Sequence, residues 1–219
     1  MMRIGRCVLC LIVALSAPAA FAGTLNLSTG LDSSGNRITT DLGCDAHWVA
    51  IAGPSTACAG SAAQVVMWGD PDWFGGWVGS GPNSDWITSN AGTQQNGSPL
   101  PSYMIQFYLA GTTGASLSGY WTIDDEGSIS LNGNQLNYLP SGYWGSLNPV
   151  SASSSDFVPG LNSLVISMTS SDNYLEGVRF EGSVTGEGAS FVPEPVSAVM
   201  LLTGVGSLFL GLRRRGQRQ

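Results

Sequence analysis

Over residues 102–110 large apolar side chains alternate with smaller or more polar ones. Tyr103, Ile105, Phe107 and Leu109 fall on one side, and Met104, Gln106, Tyr108 and Ala110 on the other. A period of two places one face of a β-strand in a core. Leu117, Trp121 and Ile123 repeat the pattern, and Ile129 and Leu131 run into Asn132-Gly133, a dipeptide suited to the left-handed positions of a two-residue hairpin turn. Leu164, Ile166 and Met168 predict another strand after Pro159-Gly160. Val178, Phe180 and Val184 predict a last one, with Arg179, Glu181 and Ser183 facing the other way. Between residues 23 and 188 no stretch carries a helical repeat. Short strands separated by Gly, Ser, Asn and Asp predict an all-β sandwich, and its expected form is a jelly roll.

Both ends of the chain break this pattern. Arg3 and Arg6 precede an apolar run over 7–15, and Ala20-Phe21-Ala22 supplies the small-x-small site that signal peptidase reads. Residues 1–22 are therefore expected to be a signal peptide and 23–188 an exported domain. Near the other end, residues 196–212 carry no charge, enough for a short membrane span. Arg213, Arg214 and Arg215 follow and should stay cytoplasmic. The expected order is a linker at 189–195, a single transmembrane helix at 196–212 and a basic tail at 213–219. On hydropathy alone this is a plain anchor. The residues before it add a second reading: Pro193 and Pro195 hold the backbone extended, and Glu194 keeps the peptide at the membrane surface.

Pro193-Glu194-Pro195, the apolar helix and the arginine cluster together resemble the PEP-CTERM sorting signal of Gram-negative bacteria that make extracellular polysaccharide. The resemblance covers residues 192–219. It implies recognition by a membrane-embedded exosortase, cleavage at or near the motif, a transient stay in the inner membrane and a final place at the cell surface or in the biofilm matrix.

Charge narrows the partners of the domain. Between residues 23 and 192 there are two arginines, no lysine and fourteen acidic residues, a balance of −12. Such a segment repels nucleic acid and anionic lipid. Of its two cysteines, Cys44 and Cys58, the simple reading in an oxidising compartment is a disulfide closing a loop of about 15 residues, worth roughly 3 kcal/mol. The alternative is a thiol metal site with His47, which stays incomplete unless a carboxylate joins.

The stretches "LSGYWTIDDEGSISLNGNQL", "FVPGLNSLVISMTS" and "EGVRFEGSV", with Trp86-Ile87 upstream, resemble the second half of galactose-binding-like β-sandwiches. The resemblance spans about half of the domain. Its motifs are structural, and it implies the fold.

Two groups of residues carry candidate chemistry. Asp124, Asp125 and Glu126 form the densest acidic cluster, and similar Asp-Asp-Gly turns bind structural calcium in protective-antigen-type domains, which this stretch resembles. Calcium takes six to eight oxygens, more than these three supply, and a solvated turn is the plainer reading. Trp73, Trp77, Tyr143 and Trp144 can form an aromatic platform for sugar rings or can fill the core; Trp121, inside a strand, is expected to be packed. A glycosidase needs two carboxylates facing one bond, and neighbours on one turn do not nominate them. No nucleophile-elbow sequence accompanies His47. The expectation is a non-catalytic surface or matrix protein that binds polysaccharide, with a secreted polysaccharide hydrolase and a ligand-free structural module as alternatives.

Overall fold

The alternating segments form strands at the expected places. In the computed structural model, which describes residues 22–67, 76–90, 99–170 and 176–192, twelve strands follow one another. They are β1 (Ala22–Asn26), β2 (Cys44–Ala52), β3 (Ala62–Val66), β4 (Trp86–Thr88), β5 (Ser102–Leu109) and β6 (Gly111–Asp124), then β7 (Glu126–Leu131), β8 (Asn134–Leu139), β9 (Asn148–Ala152), β10 (Gly160–Ser170), β11 (Gly177–Glu187) and β12 (Ser190–Phe191). The expected leader up to residue 21, Trp73, the motif Pro193-Glu194-Pro195, the apolar run 196–212 and Arg213, Arg214 and Arg215 lie outside the described residues. Among the described residues no helix is long and apolar enough to cross a membrane.

The ladder runs β8-β7-β10-β5-β2-β3-β4-β11-β6-β9, with β1 added on β11 and β12 on β5. Bent through β3, this path makes an all-β sandwich. One layer is β8-β7-β10-β5-β2 and the other is β4-β11-β6-β9, and β8 and β9 are left as facing edges. Tyr103, Ile105, Phe107, Leu109, Leu164 and Ile166 of the first layer meet Leu117, Trp121, Ile123, Val178, Phe180 and Val184 of the second in one buried core. These are the residues that the period of two turns inward. Trp121 is buried as expected.

The chain changes layers at Asp125. Asp124 closes β6, which pairs with β11 and β9, and Glu126 opens β7, which pairs with β10 and β8. The acidic stretch is thus the corner between the two sheets. Gly127 is required there: a Cβ would lie 2.3 Å from the Ser167 carbonyl oxygen and 2.6 Å from Ile123 Cδ1. The predicted hairpin is present, with Asn132 at φ 54° and Gly133 at φ 84° joining β7 to β8. Its Asn132 Nδ2 donates to Asn162 Oδ1 at 2.8 Å, and Asn162 in turn donates to the carbonyls of Val158 and Gly160. The asparagine of the Pro-Gly-x-Asn-x-Leu stretch therefore ties two turns together.

Sheet pairing continues past the expected boundary at residue 188. Ser190 and Phe191 pair with Tyr108 and Phe107, and the Phe191 ring stacks on His47 at 3.7 Å. The first residues of the expected linker 189–195 belong to the sheet because β2 diverges from β5 beyond Met104 and leaves that edge open. Cys44 and Cys58 are joined in a disulfide with Cα atoms 5.8 Å apart, which removes the thiol metal site.

Asp45 organises the long connection before β2. Its carboxylate accepts from the backbone N–H of Gly30 at 2.6 Å and from those of His47 and Trp48 at 2.8 Å. Burial pushes its pKa up to about 6, against the pull of these donors. An unfolded aspartate ionises near 3.8, so between the two values the folded protein keeps a proton that the unfolded chain has released. The contribution of Asp45 to stability therefore grows as pH falls through that window. Carbon-13 NMR titration should give the Asp45 carboxyl a midpoint of about 6; a midpoint at the ordinary value would contradict its desolvation. Replacing Cys44 and Cys58 together with alanine should cost roughly 3 kcal/mol by urea unfolding, and an unchanged midpoint would mean that the loop they close is already ordered without the bond.

Candidate functional site

In β6 the inward turn of Leu117, Trp121 and Ile123 sends Ser118, Tyr120 and Thr122 to the outer face. There Tyr120 lies between Glu181 of β11 and Pro149 of β9, and Ser118 between Ser183 and Ser151. Tyr120 is 53% exposed. The two strands lie flush because Gly119 and Gly182 are paired, and a Cβ on Gly182 would come 2.7 Å from the Gly119 Cα and 2.8 Å from the Phe180 ring.

The upper part of this outer face is covered by residues 76–85, and Arg179 is what holds them. Its guanidinium is 2% exposed; Nε donates to Ser84 Oγ at 2.8 Å, Nη1 to the Gly79 carbonyl and Nη2 to Glu181 Oε2 at 3.3 Å. Burial lowers its pKa, while the carboxylates of Glu181 and Asp85 sustain the charge. Partial burial pushes Glu181 up, but hydrogen bonds from Asn83 and Ser84 and the Arg179 charge outweigh it and hold the group below the usual carboxylate range. Glu181 is thus an anion beside Tyr120.

Several of the predicted site residues converge at the top of the same face. Trp77 stacks on Trp86 at 3.9 Å and donates from Nε1 to Asp124 Oδ2 at 2.6 Å. Trp144 packs half-buried against this pair, its carbonyl accepting from Val78 N, and the neighbouring Tyr143 carbonyl accepts from Thr122 Oγ1. Trp77 is only 5% exposed, so it is a packing residue and not part of an open platform. The space it fills exists because residue 177 is glycine: a Cβ there would come 2.7 Å from the indole. Tyr143, 42% exposed, remains available. Asp124, Asp125 and Glu126 are not gathered into one set of ligands: Asp124 accepts from the Trp77 indole, Asp125 is largely buried, and among the described residues no group of three or more Asp, Glu, His or Cys side chains is arranged to bind a metal.

Below this cluster, at the seam between the edge strands β8 and β9, lies a cleft of about 370 Å³ lined by Ser118, Tyr120, Leu136, Asn137, Pro149 and Ser151, with Gly119 and Val150 at its base. Its size falls within the usual range of ligand sites. Asn137 Nδ2 reaches across the seam to the Pro149 carbonyl at 3.2 Å. A phenol ring, two hydroxyls and a carboxamide can stack on and hydrogen-bond a sugar. Sequence reasoning missed these residues. The signal for Tyr120 was present in the alternation, because an inward Trp121 turns its neighbour outward.

No protein-family model matches the sequence, and no curated protein sequence matches it. Among solved structures, the chain is similar to a CBM35 from Cellvibrio japonicus Abf62, with 15% identity, a TM-score of 0.32 and coverage of 79% of this chain and 99% of that one. It is similar to a family 35 carbohydrate binding module from an environmental isolate, with 14% identity, a TM-score of 0.31 and coverage of 72% and 96%. A glycoside hydrolase family 43 arabinoxylan arabinofuranohydrolase from Bacillus subtilis, in complex with cellotetraose, is matched at 13% identity and a TM-score of 0.34 over 58% of this chain and 25% of that one.

Proposed function

We propose that this is an exported, non-catalytic protein of the cell surface or extracellular matrix, whose sandwich, of the jelly-roll, galactose-binding-like kind, binds polysaccharide on the outer face of β6 and β9. The observation that carries this reading is the seam cleft itself, where the exposed ring of Tyr120 stands beside Ser118, Ser151 and Asn137. The groups that line the cleft stack and hydrogen-bond, which suits holding a sugar chain. Export follows from the leader-like residues 1–22, and sorting by exosortase from Pro193-Glu194-Pro195, the apolar run and Arg213, Arg214 and Arg215. The chain then passes from the inner membrane of a Gram-negative cell to its surface.

Tyr120→Ala should weaken binding to cell-derived polysaccharide roughly tenfold, the worth of one ring contact, while the thermal midpoint stays near that of the wild type, because the side chain is exposed. Equal retention of variant and wild type in affinity electrophoresis would remove Tyr120 from the site. For the sorting step, the intact mass of protein recovered from the cell surface and medium should correspond to a chain ending at or near Pro193-Glu194-Pro195. Recovery of the full tail would make residues 196–212 a permanent anchor.

A further inference from the structure

We infer that the polysaccharide held on this face is uncharged, so that uronate, sulfate and phosphate polymers are excluded as ligands. The inference rests on the polysaccharide reading above and narrows it. Between residues 22 and 192 the chain has two arginines, one histidine and no lysine, and all three lie in described parts of the fold. Both guanidinium groups are already engaged. Arg37 donates from Nε and Nη2 to the carboxylate of Asp85, whose side chain is fully buried. Arg179 is itself buried and directs Nε to Ser84, Nη1 to the Gly79 carbonyl and Nη2 to Glu181. Swinging either one out to a ligand would leave a buried acceptor without its donor. His47 is stacked on Phe191 in the other layer.

The cleft therefore meets its ligand with hydroxyls, an amide and a phenol, and with the Glu181 carboxylate next to Tyr120. Around it the domain carries the −12 balance of its sequence. A polyanion would have to approach this field, and give up its hydration, with no cation to pair against. A neutral chain meets no such barrier, and its hydroxyls match Ser118, Ser151 and Asn137. Its association should also be insensitive to salt, because no counterions are exchanged.

The test compares the full-length protein with its Tyr120→Ala variant in affinity electrophoresis, with EDTA present, against a panel of neutral polysaccharides and against anionic ones. Within the panel, galacturonan is used at neutral pH both as the unesterified, ionised polymer and as its fully methyl-esterified, uncharged form. The readout is the retention lost on removing Tyr120, which separates binding at this face from attraction to the terminal arginines. Expected is Tyr120-dependent retention on one or more neutral polymers, unchanged from low to high salt, and none on the anionic polymers. Tyr120-dependent retention on an anionic polymer, falling steeply with salt, overturns the inference but leaves polysaccharide binding standing. Absence of Tyr120-dependent retention on every polymer overturns the placing of a binding site on this face, and the inference with it.

Discussion

The arrangement of the outer surface depends on one buried guanidinium. Arg179 sits on β11 between Val178 and Phe180, whose side chains fill the core, so the strand's alternation sends the arginine outward into a place where water is excluded by the chain itself. A buried cation is tolerated only when its donors are used, and these are met by Ser84, the Gly79 carbonyl and Glu181. Satisfying it fixes residues 79–84 against the sheet, and the segment just before them carries Trp77 onto Trp86. Gly81 lies so close that a Cβ would come within 2.3 Å of Nη2, so backbone and guanidinium are fitted to one another. A second ion pair extends the network: Asp85, bonded to Arg37, also donates its backbone N–H to the Thr29 carbonyl and accepts at its own carbonyl from the Thr29 hydroxyl. The segments without strand structure are held by charge and hydrogen bonds, and the strands by apolar burial.

This division accounts for what could be read in the sequence. The strands β5, β6, β10 and β11 were legible because each buries one face and so carries the period of two, and the β7–β8 hairpin because Asn132 and Gly133 accept left-handed backbone. The strands β2, β3 and β4 were not. In β2 an acidic Asp45 is buried to serve three backbone donors, in β4 Trp86, Ile87 and Thr88 are all buried, and no alternation survives where a strand is covered on both sides. Trp77 could be assigned to core or surface only once its partners were known, because its burial comes from a loop folded over the sheet. The seam cleft is a property of topology: which two strands remain unpaired is decided by the whole ladder, and no local pattern records it.

The acidic corner shows how a chemical signature can arise from a structural need. Three consecutive acidic residues suggest a cation, yet Asp124 accepts from an indole and Asp125 sits where the chain leaves one sheet for the other. The cysteines are simpler: Cys44, the first residue of β2, is joined to Cys58 in the connection that leads to β3.

Pro149 adds something to the seam beyond lining it. The N–H and C=O of one residue in an extended strand point the same way, and the Pro149 carbonyl faces Asn137 on β8. The missing N–H therefore lies on the side away from β6, where no ladder bond is lost. It also removes a donor that an incoming strand from another molecule would need, and proline on an edge is a recognised barrier to such pairing. The edge can therefore stay unpaired without becoming a template for aggregation.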